Sequence, residues 1–482
     1  MRGSSRPLSG HGPASDYAAR LLDALGIRVP REAGPADPHP DLDWARSGAM
    51  ALTGEPTGPP RLAPAPLAAC ARGTLAALRA LAGPGPLDVL DAPCLLGERA
   101  AHAHLRRAGR SSPGGSCRLI RAADGWLALS LPRPDDLTLL GAWLEQPAPR
   151  SATREAAPGE ELWEELARVV STRARRELVE RGRLLGLALA PSPSHAPSPR
   201  PWLRSTRHSA AHCEPRGEGA RGALVVDLSA LWAGPLCTHL LQHAGARVLK
   251  VESTRRPDGA RRGPRAFFDV LHAGQESVAL DLSVETGRRS LRALVERADL
   301  VVESARPRAL AQLGIEAAEW VAARPGRTWL SITGYGRSLP GGGWVAFGDD
   351  AAVAAGLACA TARRNGLAAP IFCGDAIADP LSGLHAAVAA LASWRSGGGL
   401  LLDVALRDVV AHARVAPSAA RPARVRACPA EASEPESDAH WQVCCEDGAA
   451  RVRAPRGRSP VERARALGAD TRSVLRELHV AC

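Results

Sequence analysis

The sequence predicts an α/β protein with a doubly wound parallel sheet and a smaller α+β domain beside it. Between residues 223 and 410, short apolar runs alternate with helix patterns, an order typical of parallel sheets covered by helices. Aromatic residues are only 4% of the chain, so Ala, Leu and Val must build the core, which favours helices and buried parallel strands. The 482 residues leave room for about two to four domains.

Changes in composition divide the chain into five predicted segments. They are a flexible N-terminal segment (1–36), a first globular unit (37–190), a Pro/Ser/Arg-rich linker (191–222), the α/β domain (223–410) and a C-terminal segment (411–482). In the first unit, apolar periodicity predicts a helix near Leu67–Ala82 and a helical stretch at 160–185. Asp124-Gly125 lies between two alternating runs, which predicts a β-hairpin.

The α/β domain supplies most of the predicted sheet. Its strands are predicted at the apolar runs 223–228, 247–252, 299–304 and 328–333. One connecting helix is predicted to begin at Pro235 and to stop at Gly245, and another covers 284–297. Beyond this domain we expect one strand near Trp441–Cys445 and a short last helix.

The formal charge is +11, and nearly all of the positive charge is arginine, with Lys250 as the only lysine. Together with the Ala, Gly and Pro content, this favours a coding bias, and a polyanionic ligand such as a nucleotide is the alternative. Arginines are not interleaved with aromatics, and no zinc knuckle or RNP-like motif occurs. We therefore expect no nucleic-acid partner.

Several function classes are disfavoured by missing motifs. The eleven cysteines contain no C-x-x-C pair, which indicates reduced thiols in a cytoplasmic protein. The N-terminus has no apolar signal core, and no run of about 18 apolar residues predicts a membrane span. The stretch 227–238, which follows the first strand of the α/β domain, has no G-x-G-x-x-G, and P-loop, G-x-S-x-G and H-E-x-x-H motifs are absent. We therefore predict no metal site and no nucleotide cofactor.

Two carboxylates open the apolar helix pattern at 374–391. Asp379 precedes Pro380, which predicts that Asp379 is the helix N-cap and that the proline lies in the first turn. Asp375 is expected in the preceding loop, with a structural or solvated role. The local pattern alone favours capping over catalysis for Asp379.

Four stretches of the chain carry a resemblance to a known family. They are 225–252, 277–315, 330–336 and 378–410, and they follow one another in the family's order. The chain resembles the class III CoA-transferases, which include formyl-CoA and carnitine CoA-transferases and the α-methylacyl-CoA racemases. The resemblance implies a CoA-binding α/β domain in which Asp379 is the nucleophile. It also implies acyl-CoA and a small carboxylic acid as substrates, so that the CoA thioester is a substrate and no cofactor is required.

The resemblance implies further site residues. The loop after the first strand would contact CoA, through Ala230, Leu231, Trp232 and Ala233. Gln275-Glu276 replace a Lys-Arg pair that is usual in the family, and Gln312 replaces an arginine. Arg306 and Arg308 are the substitutes that we expect to bind CoA phosphates.

The racemases of the family carry a histidine in a GHD motif, and this chain has GDD. Asp349 therefore stands in the place of the histidine, and Asp350 is expected to support the catalytic site beside Asp379. This departure favours transfer over racemisation. Two alternatives stay open: an inactive family member that acts as a CoA-binding or partner-binding scaffold, and an acyl-CoA racemase or isomerase.

Residues 43–81 resemble 350–392, and Ala69 stands where Asp379 would be. The stretches 115–144 and 175–191 resemble the family's small domain. The resemblance therefore implies a tandem of two truncated units, the first without nucleotide-binding strands and the second without a small domain. Because family members form interlocked dimers, we expect an internal pseudo-dimer with one active site, or a homo-oligomer.

Overall fold

The computed structural model describes residues 6–149, 151–152, 158–195, 197–198, 200–213, 216–417, 423–428 and 441–480. The strands are β1 (Leu8–His11), β2 (Arg31–Ala36), β3 (Cys117–Ala122), β4 (Gly125–Ser130), β5 (Ala188–Ser192), β6 (Arg204–Arg207), β7 (Leu224–Leu228), β8 (Arg247–Ser253), β9 (Glu276–Leu280), β10 (Leu300–Glu303), β11 (Thr328–Thr333), β12 (Leu400–Ala405), β13 (Arg424–Ala427), β14 (Trp441–Cys445) and β15 (Gly448–Arg451). The α-helices are α1 (Pro13–Ala24), α2 (Pro40–Arg46), α3 (Leu67–Ala82), α4 (Ala92–Leu95), α5 (Glu98–Ala103), α6 (Pro134–Thr138), α7 (Leu140–Leu144), α8 (Glu160–Val170), α9 (Arg175–Leu185), α10 (Ala233–His243), α11 (Arg265–His272), α12 (Glu285–Arg297), α13 (Pro307–Ala311), α14 (Ala317–Ala323), α15 (Gly348–Ala354), α16 (Leu357–Arg364), α17 (Ala378–Arg395), α18 (Leu406–Arg414) and α19 (Thr471–Glu477). Short 3-10 helices lie at Met50–Leu52, Pro86–Val89, Gly259–Arg262 and Gly341–Gly343.

A seven-stranded sheet in the order β6–β12–β11–β10–β7–β8–β9 forms the centre of the α/β domain. Its neighbouring strands pair in parallel, except that β6 runs antiparallel to β12 at one edge. The four strands predicted for this domain are confirmed as β7, β8, β10 and β11. β6 arises within 191–222, which the sequence predicts as a linker. Its residues Arg-Ser-Thr-Arg carry no apolar run, because an edge strand needs only one partner and faces solvent.

Alternating side chains divide the core between the two faces of the large sheet. Val225 of β7 and Leu330 of β11 belong to the core that contains α10 and α17. Their chain neighbours, Val226 and Trp329, belong to the core that contains α12 and α14. Successive strand residues point to opposite faces, so a strand that is covered on both faces is rich in apolar residues and does not simply alternate apolar with polar ones.

Helix α17 lies inside the molecule, in contact with α10 and α3. Its residues 386–391 are at most 1% exposed. A helix that is apolar on all sides is buried on all sides, which explains why the stretch 374–391 has no polar face. The first turn of α17 reaches the cavity described below.

Two smaller sheets precede the α/β domain. β1 and β2 form a parallel pair connected by α1, in a part of the chain where the sequence predicts no strands. The predicted hairpin is confirmed as β3–β4, and β5 adds a third antiparallel strand. The predicted helical stretch is confirmed as two helices, α8 and α9, which are interrupted because Ala174 is extended.

The C-terminal segment forms the sheet β13–β14–β15, with β14 at the predicted position and α19 as the last described helix. Helix α2 packs on β14 and β15, and helix α15 packs on β5 and β4. A helix of residues 37–190 therefore packs on the sheet β13–β14–β15, and a helix of the α/β domain packs on the sheet β3–β4–β5. Within the described ranges, no helix is both long enough and apolar enough for a membrane span.

Candidate active site

A cavity of about 720 Å³ opens at the carboxyl ends of β7, β8 and β10. β8 and β9, which follow β7 in the chain, lie on one side of it in the sheet. The next strand, β10, lies on the other side of β7, so the strand order reverses at this point. Doubly wound sheets bind ligands at such a reversal of strand order. The Ala230 N–H donates to Ser304 Oγ at 3.1 Å, so the loops after β7 and β10 contact each other here.

A second cavity of about 440 Å³ lies beside the first. Asp379, Ala230, Leu231 and Arg256 line both cavities. The smaller cavity is otherwise lined largely by apolar groups, among them Ile332, Trp344, Val345, Ala346 and Phe347. Asp379 therefore lies where the two cavities meet, with room for a ligand on each side.

Asp379 lies inside the first turn of α17, which begins at Ala378. The prediction that Asp379 is the N-cap is wrong, because Ile377 occupies that position. The Asp379 N–H donates to the Ala376 oxygen of the preceding turn at 2.8 Å. The Asp379 carboxyl group faces the cavity. Gly348 leaves space for it, since a Cβ at that position would lie 2.5 Å from Asp379 Oδ2.

Four carboxyl groups converge at the start of α17: Asp349 and Asp350 of α15, Asp375 of the preceding loop, and Asp379. The pKa of Asp379 is raised to about 7. Burial is the largest cause, the Arg99 guanidinium lowers this pKa, and the other three carboxyls raise it. Burial also raises the pKa of Asp349 and of Asp350 to about 7. Because neighbouring carboxylates disfavour one another's ionisation, Asp349, Asp350 and Asp379 share protons near neutral pH.

Asp349 and Asp350 have different surroundings. Asp349 lines the larger cavity and accepts the Ala376 N–H at 2.9 Å. Asp350, which the sequence predicts as a supporting catalytic residue, is fully buried and lines neither cavity. Its Oδ1 accepts the Phe347 N–H at 2.8 Å and the Ser130 hydroxyl at 3.0 Å. Asp350 therefore connects α15 to the small sheet of the N-terminal part.

Arg99 is a site residue that the sequence analysis missed. It lies on α5 of the N-terminal unit, and its guanidinium binds both carboxyl oxygens of Asp375, with Nε 2.8 Å from Oδ2. Asp375 lies in the loop, as predicted, but it is fully buried. Arg99 also lines the larger cavity and lies 5.8 Å from the ring centroid of Trp232. No local motif distinguishes Arg99 from the other arginines of the chain.

The predicted CoA-binding residues are divided between the two cavities. Ala230, Leu231 and Trp232 line the larger one. The smaller one is lined by Ala230, Leu231, Ala233 and Arg306. Trp232 is buried and its ring packs edge-on against Phe267, with 5.5 Å between the ring centroids. Arg308 lies in α13, and Arg306 is the N-cap of this helix. Arg308 nevertheless lines neither of these cavities.

Lys250 is buried beneath the loop that lines both cavities. Its Nζ lies 3.0 Å from Asp258 and 3.7 Å from Asp227, and it donates to the Ser229 oxygen at 2.5 Å. Asp258 accepts the Leu231 N–H at 3.0 Å. The only lysine of the chain thus holds the backbone of the cavity loop in place.

Three arginines at the cavity rims have no acidic partner among the described residues. Arg256 and Arg262 line the larger cavity, and Arg306 lines the smaller one. Burial lowers the pKa of Arg306, and repulsion from Arg308, Arg133 and Arg256 lowers it further. Such a concentration of positive charge favours a polyanionic ligand.

The residues that replace the family's Lys-Arg pair have structural contacts. Gln275 is buried, with its Oε1 2.8 Å from Nδ1 of His272. Glu276 forms a salt bridge with Arg247 at 2.6 Å. Neither side chain lines the two cavities, so any cation that binds a phosphate there must come from another part of the chain.

One group of potential metal ligands lies away from these cavities. Ligand atoms of His39, Cys445 and Asp447 lie within 4.8 Å of one another. Nδ1 of His39 already accepts the Asp41 N–H at 3.2 Å. The absence of a metal site stays a prediction.

Comparison with known proteins identifies CoA-transferases among the relatives of this chain. It is 30% identical, over 195 residues, to the succinyl-CoA–D-citramalate CoA-transferase of Chloroflexus aurantiacus, a match that covers 39% of this chain and 48% of that protein. It is 29% identical over 205 residues to the succinate–glutarate CoA-transferase of Agrobacterium fabrum, covering 39% and 51% of the two chains. The chain therefore spans about half the length of the curated relatives it matches.

Among solved structures, a CAIB/BAIF family protein from Brucella suis is 27% identical, over 40% of this chain and 54% of that one, with a TM-score of 0.34. The sequence model of CoA-transferase family III matches residues 221–471, slightly more than half of the chain. These residues contain β7–β12, the loop at Ala230 and Leu231 that lines both cavities, and Asp379. The chain thus belongs to CoA-transferase family III.

Proposed function

We propose that the protein is a CoA-transferase that moves CoA from an acyl-CoA donor to a carboxylic acid through Asp379. The observation that carries this proposal is the position of Asp379 at the junction of two cavities. Transfer between two acids needs one nucleophile within reach of both a CoA arm and an acyl group. The relatives named above are CoA-transferases for carboxylic acids, which supports the same reaction class here.

In the first half of the proposed reaction, a carboxylate oxygen of Asp379 attacks the thioester carbonyl carbon. The C–S bond breaks, the CoA thiolate leaves, and a mixed anhydride remains on Asp379. The thiolate then attacks the Asp379 carbonyl of this anhydride and expels the donor acid as a carboxylate. The product of this half is an Asp379–CoA thioester, and no proton is gained or lost.

The second half reverses these steps with the acceptor. Its carboxylate attacks the Asp379 thioester, which releases the thiolate and forms a new anhydride. The thiolate attacks the acceptor carbonyl, and Asp379 leaves as a free carboxylate. Backbone N–H groups in the first turn of α17 are suited to stabilise the oxyanions, because helix N-termini favour negative charge.

The pKa of Asp379 decides when attack is feasible. Attack needs the carboxylate, and burial raises this pKa to about 7. A carboxylate with a raised pKa is a stronger base and nucleophile, but only about half of it is ionised near pH 7. We therefore expect the transfer rate to rise with pH through this range.

The rim arginines are proposed to bind the phosphates of CoA. We expect Arg256→Ala combined with Arg306→Ala to weaken CoA binding about 100-fold or more, since hydrogen bonds to charged groups contribute about 1.5–3 kcal/mol each. Binding is measured by calorimetry with CoA, and the salt dependence should decrease in the variant. Arg176→Ala is the matched control, because this side chain is 86% exposed on α9. Equal affinity of the double variant and this control would contradict the assignment.

The proposed function is tested by trapping the intermediate. The protein is incubated with a panel of acyl-CoAs and then with hydroxylamine, and its peptides are analysed by mass spectrometry. We expect a hydroxamate at Asp379, one per chain, and none in the peptide that contains Ala69. No adduct with any member of the panel would overturn the transferase proposal.

Two other functions have specific support. The replaced Lys-Arg pair favours an inactive CoA-binding scaffold, which would bind CoA without forming an adduct. Asp349 and Asp379 both line the larger cavity with pKa values near 7, which suits an acid–base pair in an acyl-CoA racemase. Exchange of the α-proton with deuterium from solvent, without CoA transfer, would identify the racemase.

We also propose that the chain is a tandem of two family units that form an internal pseudo-dimer. Two aligned pairs share a local feature in both units: the φ angles of Gly48 and Gly356 are 82° and 81°. Thr53 Oγ1 donates to the Ala49 oxygen at 3.0 Å, and Thr361 Oγ1 donates to the Leu357 oxygen at 2.8 Å. These matches lie in the two stretches that resemble each other in sequence.

The packing of the two units supports the same proposal. Helix α1 packs on α3, as α10 packs on α17. A Cβ at Gly73 would lie 2.3 Å from the Ala14 oxygen, and one at Gly383 would lie 2.7 Å from the Ala233 oxygen. The trapped protein should therefore have the native mass of one 50.4 kDa chain. A strict requirement for two chains per active particle would contradict the pseudo-dimer.

A further inference from the structure

We propose that Arg99 is a positioning residue of the active site, which acts through Asp375 to hold the nucleophilic turn and to keep Asp379 ionised. This inference rests on the proposed transferase function. It assigns to the N-terminal unit, which lacks a nucleophile of its own, a part in the chemistry of the other unit.

The geometry shows how Arg99 reaches the nucleophile. Its guanidinium forms two hydrogen bonds with the buried Asp375 carboxylate. The next residue, Ala376, has φ of 42°, a conformation that residues other than glycine rarely adopt. Its N–H is bound by Asp349, and its oxygen accepts the Asp379 N–H. The Arg99–Asp375 pair therefore anchors a strained turn whose next residues place Asp379 at the cavities.

Arg99 is itself held by a second ion pair. Its neighbour Glu98 is 1% exposed and binds Arg458 through both carboxyl oxygens, at 2.6 and 2.8 Å. Nη1 of Arg458 lies 2.8 Å from Nε2 of His239 on α10. Helix α5 is thus fixed to the C-terminal segment and to the α/β domain, and the Arg99 fork has little freedom to leave Asp375.

The charges that face Asp379 come from three elements. Helix α15 contributes Asp349 and Asp350, the preceding loop contributes Asp375, and α5 contributes Arg99. The three carboxyls raise the pKa of Asp379, and the guanidinium lowers it. Loss of Arg99 would leave Asp375 as a buried carboxylate without its cation and would shift the whole cluster towards protonation.

Two further ionisable groups lie near Asp350. They are Cys117 on β3 and Tyr335 after β11, and burial raises the pKa of each, with Asp350 raising it further. Both groups are therefore neutral near pH 7. They add no positive charge that would replace Arg99.

The test compares Arg99→Gln with Arg99→Lys. In the Gln variant we expect the acid limb of the pH–rate profile to move up by about 1 to 3 pH units, so that the rate near pH 7 falls about 5-fold or more. The Lys variant keeps the charge but not the planar fork, and its limb should lie between those of the wild type and the Gln variant. Arg176→Gln, on the surface of α9, is the charge-matched control.

A second measurement does not depend on turnover. A water-soluble carbodiimide with an amine labels protonated carboxyls, and mass spectrometry of the Asp379 peptide gives the pH at which labelling is half complete. We expect this midpoint to rise in Arg99→Gln and to return towards the wild-type value in Arg99→Gln/Asp375→Asn. The double variant also keeps the test valid if the single Gln variant fails to fold.

The outcomes separate the two proposals. A lower rate at every pH with an unchanged labelling midpoint would mean that Arg99 only supports the fold, and the inference would be overturned. A wild-type protein that shows the labelling midpoint but forms no acyl adduct would remove the transferase function. The shift of the midpoint in Arg99→Gln would still be measured in that case.

Discussion

Asp379→Asn is expected to lower the rate of CoA transfer by about 1,000-fold or more, because an amide cannot form the anhydride. The substitution keeps the shape of the side chain and removes a charge that burial already disfavours, so folding should not be impaired. The rate is measured as exchange of CoA between a labelled acid and an acyl-CoA. CoA affinity should stay within about 3-fold of the wild-type value, since the arginines are untouched.

Asp16→Asn is the control for this prediction. Asp16 also lies in the first turn of a helix, α1, but its side chain is 61% exposed and forms a surface salt bridge with Arg31. We expect this variant to transfer CoA at the wild-type rate. If Asp379→Asn retained more than about a tenth of the activity of the control, the covalent route through Asp379 would be excluded.

Lys250→Met is expected to reduce the free energy of unfolding by about 3–5 kcal/mol, because it leaves the buried carboxylates of Asp227 and Asp258 without their cation. Burial lowers the pKa of Lys250, but Asp227, Asp258 and Glu252 raise it more, and the net pKa is raised. Its stabilising contribution is therefore fully present below the ordinary lysine pKa of about 10.4 and is lost as the pH rises through the higher folded value.

The prediction for Lys250 is checked by denaturant unfolding at neutral pH. Lys250→Met/Asp258→Asn should recover part of the loss, because it removes one of the two unpaired carboxylates. Arg176→Met, on an exposed helix position, should change stability by no more than about 0.5 kcal/mol. A Lys250→Met protein as stable as this control would show that the network beneath the cavity loop does not need its cation.

The strands of the large sheet were predictable because burial on both faces favours apolar side chains at most positions. Residues 223–228 and 328–333 therefore have no other plausible place than a covered sheet. β6 escaped prediction for the opposite reason: an edge strand of Arg, Ser and Thr is held by backbone hydrogen bonds to β12, and these carry no side-chain signal. The two strands of β1–β2 escaped in the same way, since β2 is almost entirely exposed.

The candidate nucleophile was also within reach of the sequence. Its neighbourhood is local, because Asp379, Pro380 and the apolar helix that follows form one continuous pattern that resembles the family. The family resemblance likewise led to the loop at Ala230 and Leu231, which lines both cavities. The error concerned the N-cap, since whether a backbone turn already accepts the Asp379 N–H depends on φ angles that the residue types do not specify.

Asp375 and Arg99 could not be paired from the sequence. They are separated by most of the chain, and their contact exists only because the fold places Arg99 of α5 beside the loop that precedes α17. The pKa of Asp379 could not be predicted from the sequence either, because it depends on burial and on four charged neighbours rather than on the residue alone. Local patterns along the chain thus specify the buried strands of the large sheet, helix α17 and its aspartate. Long-range packing specifies the charges around that aspartate, because electrostatic interactions depend on distance in space and not on separation in sequence.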